Sequence, residues 1–202
     1  MLNFFKIIFI ILFISFQANA ENADGWLKNE IDKILNIYKN ENLSEIEKFE
    51  NIEDTINKNF AGSGIAKFVS GKAWASADKN TKKNYINLFK RHLALNIASM
   101  MKGYSNQTYK LVRTKKDEST KVILIDMEII DQTSNILITW RIKESKGRYY
   151  VIDLLVADIS LVVTKRSEFN SMLKKVDYNL KKFNKTLNEQ NNISFNKILN
   201  NN

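Results

Sequence analysis

The sequence predicts an α+β fold, and three observations carry that prediction. Apolar residues recur at helical spacing from about residue 24 to Gly103, switch to strict alternation from Tyr109 to Val156, and return to helical spacing from Thr164. The alternating segments are joined by polar turns too short for a crossover, so consecutive strands must pair antiparallel. Helices and strands are therefore segregated along the chain, which is the α+β order and not the βαβ order of a parallel sheet. At 202 residues the chain is long enough for one domain with its own core.

The elements follow in order. Leu27, Ile31, Ile34, Leu35 and Tyr38 form the stripe of a helix over 24–39. Ser44 and Glu47 make a capping box for a second helix bearing Ile46, Phe49, Ile52 and Ile56. Phe60 to Gly64 reads as a loop, with Ser63 capping a short helix of Ile65, Phe68 and Val69 that Gly71 ends. Asp78 caps a long helix with the stripe Tyr85, Leu88, Phe89, His92, Leu93, Asn96, Ile97, Met100 and Tyr104. Four strands follow. Their apolar sets are Tyr109 and Leu111 with Arg113, then Ile123–Ile129, Ile136–Ile142 and Tyr150–Val156 at every second position. The turns between them are Lys115–Thr120, Asp131–Asn135 and Ser145–Gly147. A last helix spans Thr164–Leu187 with Phe169, Met172, Leu173, Val176, Leu180 and Phe183 on one face. Residues 188–202 hold seven asparagines and read as a disordered tail.

Composition removes most enzyme classes. The chain has no cysteine, so it has no disulfide, no thiol nucleophile and no Cys-ligated metal. One histidine leaves no His-rich metal centre and little material for a triad. Gly62-Ser63-Gly64 matches neither phosphate-loop spacing. No cofactor or metal is expected. At the amino terminus, Lys6, the apolar run Ile7–Phe16 and the small residues Ala18 and Ala20 form the pattern of a signal peptide over 1–20, cut before Glu21. The run is too short to span a bilayer. Lys6 is the only charged residue before Glu21, so a net charge of +9 becomes +8 without it. A cysteine-free exported chain fits a bacterial periplasm.

Three blocks carry a family resemblance. Phe60 with Ile65-Ala66-Lys67-Phe68-Val69-Ser70-Gly71-Lys72-Ala73-Trp74 resembles the F-x-x-I-A-x-x-V-L-G-x-x-W block of MlaC-type proteins. Tyr85 to Leu93 resembles the family's F-x-x-x-F-R-x-Y-L helix, which ends near a tyrosine, here Tyr104. Gly147 to Leu161, followed by Arg166-Ser167-Glu168-Phe169, is similar to G-x-W-x-V-x-D-V-x-V-E-G-V-S-L and Y-R-S-Q-F. The departures are Ala61 for an Asp, Asp158 for a Gly, Tyr149 near a usual Trp and His92 for a Tyr. Loss of the glycine implies a different turn after the last strand. His92 reads as a core or pocket-wall residue, since no Ser or Asp partner stands at catalytic spacing.

The resemblance implies a periplasmic phospholipid carrier, with a curved four-stranded sheet and helices on its concave face around an apolar pocket. Its single lipid-binding domain would be 21–187. The partners implied are phospholipid, an outer-membrane lipoprotein complex, and an inner-membrane ABC transporter with an MCE-type protein. The residues expected to meet acyl tails are Ile65, Phe68, Val69, Trp74, Phe89, Leu93, Ile97, Met100, Ile138, Trp140, Ile152 and Leu154. The same stripes also read as ordinary core. Other readings stay open: a carrier of another lipid such as a hopanoid, a ligand-free scaffold, or a cone-shaped α+β enzyme. The enzyme reading would use Asp126, Glu128 or Asp153, whose parity points away from the apolar face. The last helix carries seven basic residues from Lys165 to Lys185 against Glu168 and Asp177, which offers a docking face for acidic surfaces or a plain solvated one. No nucleic-acid motif is present.

Overall fold

A computed structural model of the chain describes residues 22–102, 107–130 and 135–200. The expected signal peptide, Gly103 and Tyr104, and most of the Asp131–Asn135 turn lie outside the described residues. Three of the early helices start where a polar side chain meets the free amides. Asn22 accepts from Gly25 N at the start of α1 (Ala23–Lys39), and Ser44 and Glu47 complete the capping box of α2 (Glu45–Asn59). Asp78 accepts from Thr81 N to open α5 (Lys79–Met101). Between them run α3 (Gly62–Ser70) and the single turn α4 (Ala73–Ser76). Ser63 does not cap α3. The helix already begins at Gly62, and the preceding Ala61 gives its backbone N–H to Val151 O (2.9 Å), which ties the α2–α3 corner to the sheet.

Among the described residues the sheet is curved, antiparallel and has five strands in sequence order, not four: β1 (Thr108–Asp117), β2 (Val122–Ile130), β3 (Asn135–Ser145), β4 (Arg148–Val156) and the two-residue β5 (Ile159–Ser160). The turn from β4 to β5 keeps the left-handed geometry that a glycine would favour. Ala157 and Asp158 both have positive φ (47° and 64°), as a tight two-residue hairpin turn requires. The first hairpin turn is shorter than Lys115–Thr120. β1 continues to Asp117, whose carboxylate accepts from the Ser119 and Thr120 amides.

Two bulges set which side chains face the helices. Leu111 pairs with Met127 but Arg113 with Asp126, so Val112 is an extra residue and Arg113 turns to the opposite face. Arg141 pairs with Asp153 but Ile142 with Val151, so Ile152 is the extra residue in β4. The covered face therefore holds Tyr149, Val151 and Leu154, and not the Tyr150, Ile152, Leu154 set that unbroken alternation predicts. On this face α1 lays Leu27 against Ile125 and Ile142, with Trp26 on Tyr149 (5.6 Å between rings). Trp140 belongs to this cluster, under α1 and not under α5. The other face is polar. There Arg113 and Thr139 both bond to buried Asp126, and Lys110 pairs with Glu128.

The carboxyl-terminal third departs most from expectation. The single last helix is two: α6 (Leu161–Lys174) starts earlier, capped by Ser160, and α7 (Leu180–Asn200) follows a break in which Asp177 and Tyr178 have positive φ. Residues 188–200 are helical and not a disordered tail. Leu180, Asn184, Leu187, Asn191 and Ile198 are buried at near-heptad spacing along α7. Asn184 donates to Thr81 O (3.1 Å) and Asn191 to Leu88 O (2.9 Å), so α7 runs parallel to α5 in a register fixed by two asparagines seven residues apart. Phe195 and Ile198 then complete a cluster with Phe49, Ile52 and Leu95.

Candidate functional site

The side chains of α5 point to two cores and one gap. Tyr85 and Phe89 enter a cluster with Phe169, Leu173, Phe183 and Leu187, and Ala94, Leu95 and Ala98 enter the cluster of α2 and α7. The remaining stripe, His92, Leu93, Asn96, Ile97 and Met100, faces a mainly apolar cavity of about 190 Å³. Phe60 and Ile65 close it on the α3 side, Leu154 at β4, and Leu161 and Val162 from the first turn of α6. One edge is polar, formed by Asn96, Thr164, Lys165 and Glu168. Lys165 and Glu168 are paired at 2.6 Å.

Of the twelve expected tail contacts, the structure gathers Ile65, Phe89, Leu93, Ile97, Met100 and Leu154 around this cavity. Phe68 and Ile152 line a second depression of about 260 Å³, which shares Ile65, Asp153 and Val162 with the first. Val69 and Trp74 pack in the α3–α5–α6–α7 core. Ile138 is buried and Trp140 packs under α1, both away from the cavity. The sheet thus contributes its β4 end and not its central face. The residues missed were those of the α6 start. The missed signal was Ser160, whose hydroxyl oxygen accepts from Val163 N.

Asp153 reaches the cavity wall but is spent on structure. It is buried, pairs with Arg141 at 3.4 Å, and accepts from Ser160 Oγ (2.6 Å), Leu154 N (2.8 Å) and Val162 N (3.1 Å). These bonds pin the β4 end to the α6 start, across the cavity's rim. His92 has its Nδ1 3.1 Å from Asn191 Oδ1, and burial, helped by the Lys165 charge, pushes its pKa down to about 4. The ring is neutral at physiological pH. A larger depression of about 700 Å³ lies between α1 and β1, but it is a wide surface groove edged by Asp24, Lys28, Asp32 and Lys39. Among the described residues no group of three or more His, Cys, Asp or Glu could hold a metal ion, and no helix is long and apolar enough to cross a membrane.

These features define a class: α+β proteins with an apolar cavity between a helical layer and the end of an antiparallel sheet. The chain belongs to the MlaC family, whose profile (MlaC protein) matches residues 28–189. Among solved structures it is similar to a phospholipid-binding protein from Ralstonia solanacearum, determined in complex with a phospholipid. The TM-score is 0.74 at 16% identity, over 86% of this chain and 98% of that one. No curated protein matches the sequence.

Proposed function

We propose that this protein is a periplasmic lipid carrier, not an enzyme, which holds phospholipid acyl chain in the α5–α6–β4 cavity. In this reading it is exported through residues 1–20 and shuttles lipid between an outer-membrane lipoprotein complex and an inner-membrane ABC transporter with an MCE-type partner. The observation that carries the reading is the cavity itself: five apolar groups of α5 and β4, Phe89, Leu93, Ile97, Met100 and Leu154, line a gap between α5, the start of α6 and the end of β4. Family membership and the phospholipid bound to the Ralstonia protein support it.

Size and energy bear on how a lipid fits. At ~30 Å³ per water-sized group the cavity holds roughly six, worth about 5 kcal/mol at ~0.8 kcal/mol per methylene. The depression beside Phe68 adjoins it, sharing Ile65, Asp153 and Val162. Together the two would give room for roughly fifteen such groups, the length of one acyl chain. A bilayer offers the tail the same apolar transfer, so a carrier must bury most of it to compete. The exposed lysines near the α6–α7 break, Lys174, Lys175, Lys181 and Lys182, are the docking candidates for acidic partner surfaces.

The test is lipid extraction and mass spectrometry on protein purified under native conditions. The reading expects phospholipid at a fixed ratio to protein. Protein that folds, carries no lipid and takes up none from vesicles would overturn it.

A further inference from the structure

The sheet has two edges, and one of them is closed. On the β4 side Ala61 N–H donates to Val151 O, Phe60 bridges to Val151, and β5 pairs with the last residues of β4. The outer edge of β1 has no strand beside it among the described residues. Every second residue of β1 therefore points its N–H and C=O away from β2. An open edge of ten residues is a template for one more strand.

The groove between α1 and β1 lies along this edge. Residues 107–111 all line it. Consecutive strand residues point to opposite faces, so a hollow lined by such a run meets the strand edge-on and not on one face. The other wall is α1, whose Lys28, Asp32, Leu35 and Lys39 share one helical face. The Tyr109 hydroxyl donates to Asp32, whose carboxylate also pairs with Lys28, and these bonds hold the helix alongside the strand. The result is a trough of about 700 Å³ with an open strand on one side and a helix on the other.

Charge says what would fill it. β1 carries Lys110, Arg113, Lys115 and Lys116 against Asp117. Lys110 and Arg113 meet Glu128 and Asp126 of β2. Lys115 and Lys116 stand opposite Leu124 and Ile123, and neither belongs to an ion pair among the described residues. A strand on the open side would bring carboxylates beside them. A second copy of this edge would set these cations against their own kind, which disfavours self-pairing. On the polar face an entering strand meets Lys110, Arg113 and Lys115, and on the trough side Leu111 and Leu35. Acidic and apolar residues in alternation match both.

We propose that the outer edge of β1 receives an extended, acidic segment of a partner protein as an added strand, with α1 as the side wall. The site is separate from the lipid cavity, and the inference does not depend on what that cavity holds. The probe is an acetylated, amidated peptide of four Glu-Val repeats at low salt. Its control carries a methyl group on every backbone nitrogen, which keeps the charge and removes the donors. The parent peptide should bind and slow hydrogen exchange at alternate amides of β1, those that point away from β2. The methylated control should bind roughly tenfold more weakly or less. Lys115→Glu combined with Lys116→Glu alters two exposed positions. It should weaken the acidic peptide roughly two- to tenfold and admit a peptide of Lys-Val repeats instead. The exchange measurement uses the wild type, so it stands whether or not the variant folds. Failure of the acidic peptide to bind, protection of amides outside β1, equal binding of the methylated control, or unchanged affinity in the folded variant would each overturn the proposal. Protection of β1 that rises with protein concentration alone would overturn it too, with a second copy as the occupant.

Discussion

Lowering the pH from about 7.5 to about 5 should cost the folded protein about 2 kcal/mol through His92 alone. The imidazole is held down to about 4 by burial and by Lys165, against an ordinary value of 6.5. Its depressed value means the unfolded chain binds the proton first. The stability it confers is full above the unfolded value and is lost progressively as pH falls from there toward 4. At pH ~5 nearly all unfolded chains carry the proton and few folded ones do, and the ratio of the two binding terms gives the ~2 kcal/mol. The charged groups facing the ring are Lys165 and Glu168, and Lys165 outweighs Glu168 in its effect on the ring. The carboxylates Asp32, Glu47, Asp78 and Asp117 are all held below their usual range, so their losses fall mostly at lower pH. Urea titrations at several pH values would give the slope, and NMR of the lone imidazole would give its folded pKa. His92→Phe should be less stable at neutral pH, because Asn191 Oδ1 loses its partner, but nearly level across this window. A wild type that is itself level, or a variant with the same slope, would refute the reasoning.

Ending the chain after Gln190 removes Asn191, Phe195 and Ile198 from the α2–α5–α7 core and should cost at least ~3 kcal/mol; an unchanged urea midpoint would return this segment to the status of a tail. Asp153→Asn weakens four interactions at the β4–α6 junction and should cost ~3 kcal/mol, read as a fall in Tm. Ile97→Trp should empty the cavity of co-purified lipid while costing only about 1–3 kcal/mol of overpacking, and full lipid occupancy in that variant would place the ligand elsewhere. Reversing Lys174, Lys175, Lys181 and Lys182 to Glu should slow lipid delivery to acceptor complexes at low salt and leave lipid content intact; equal rates would mean that these charges only solubilise.

The alternation of β2 and β3 was readable because each has one apolar and one polar face. In β4 it misled, because Tyr149 and Val151 are as apolar as Tyr150 and Ile152, so either parity looks right and only the bulge decides. The Val112 bulge left no glycine to betray it. The α5 half of the cavity was legible from its stripe, since Phe89, Leu93, Ile97 and Met100 follow helical phase. The α6 half was not, because Leu161 and Val162 look like a continuation of the apolar strand before them. The error at 188–200 was one of composition. Asparagine is common in disordered segments, but Asn184 and Asn191 are satisfied in the core by carbonyls of α5, and spacing by sevens was the signal that residue counts concealed.

The parallel pairing of α5 with α7 shapes how the molecule is made. Residues bonded across it lie 103 positions apart, and the whole sheet and α6 intervene. A ribosome adding roughly 5–20 residues per second delivers α7 some 5–20 s after α5. During that interval Phe49 and Leu95 lack the cover of Phe195 and Ile198, and the cluster around Phe89 lacks Phe183 and Leu187. Local hairpins of the sheet can form early and quickly, but the helical layer waits for the last-made segment, which makes folding slow and late relative to synthesis. A chain that stays open until its final turns emerge has a long period in which it can be held unfolded by a chaperone, and equally a long period in which it can aggregate.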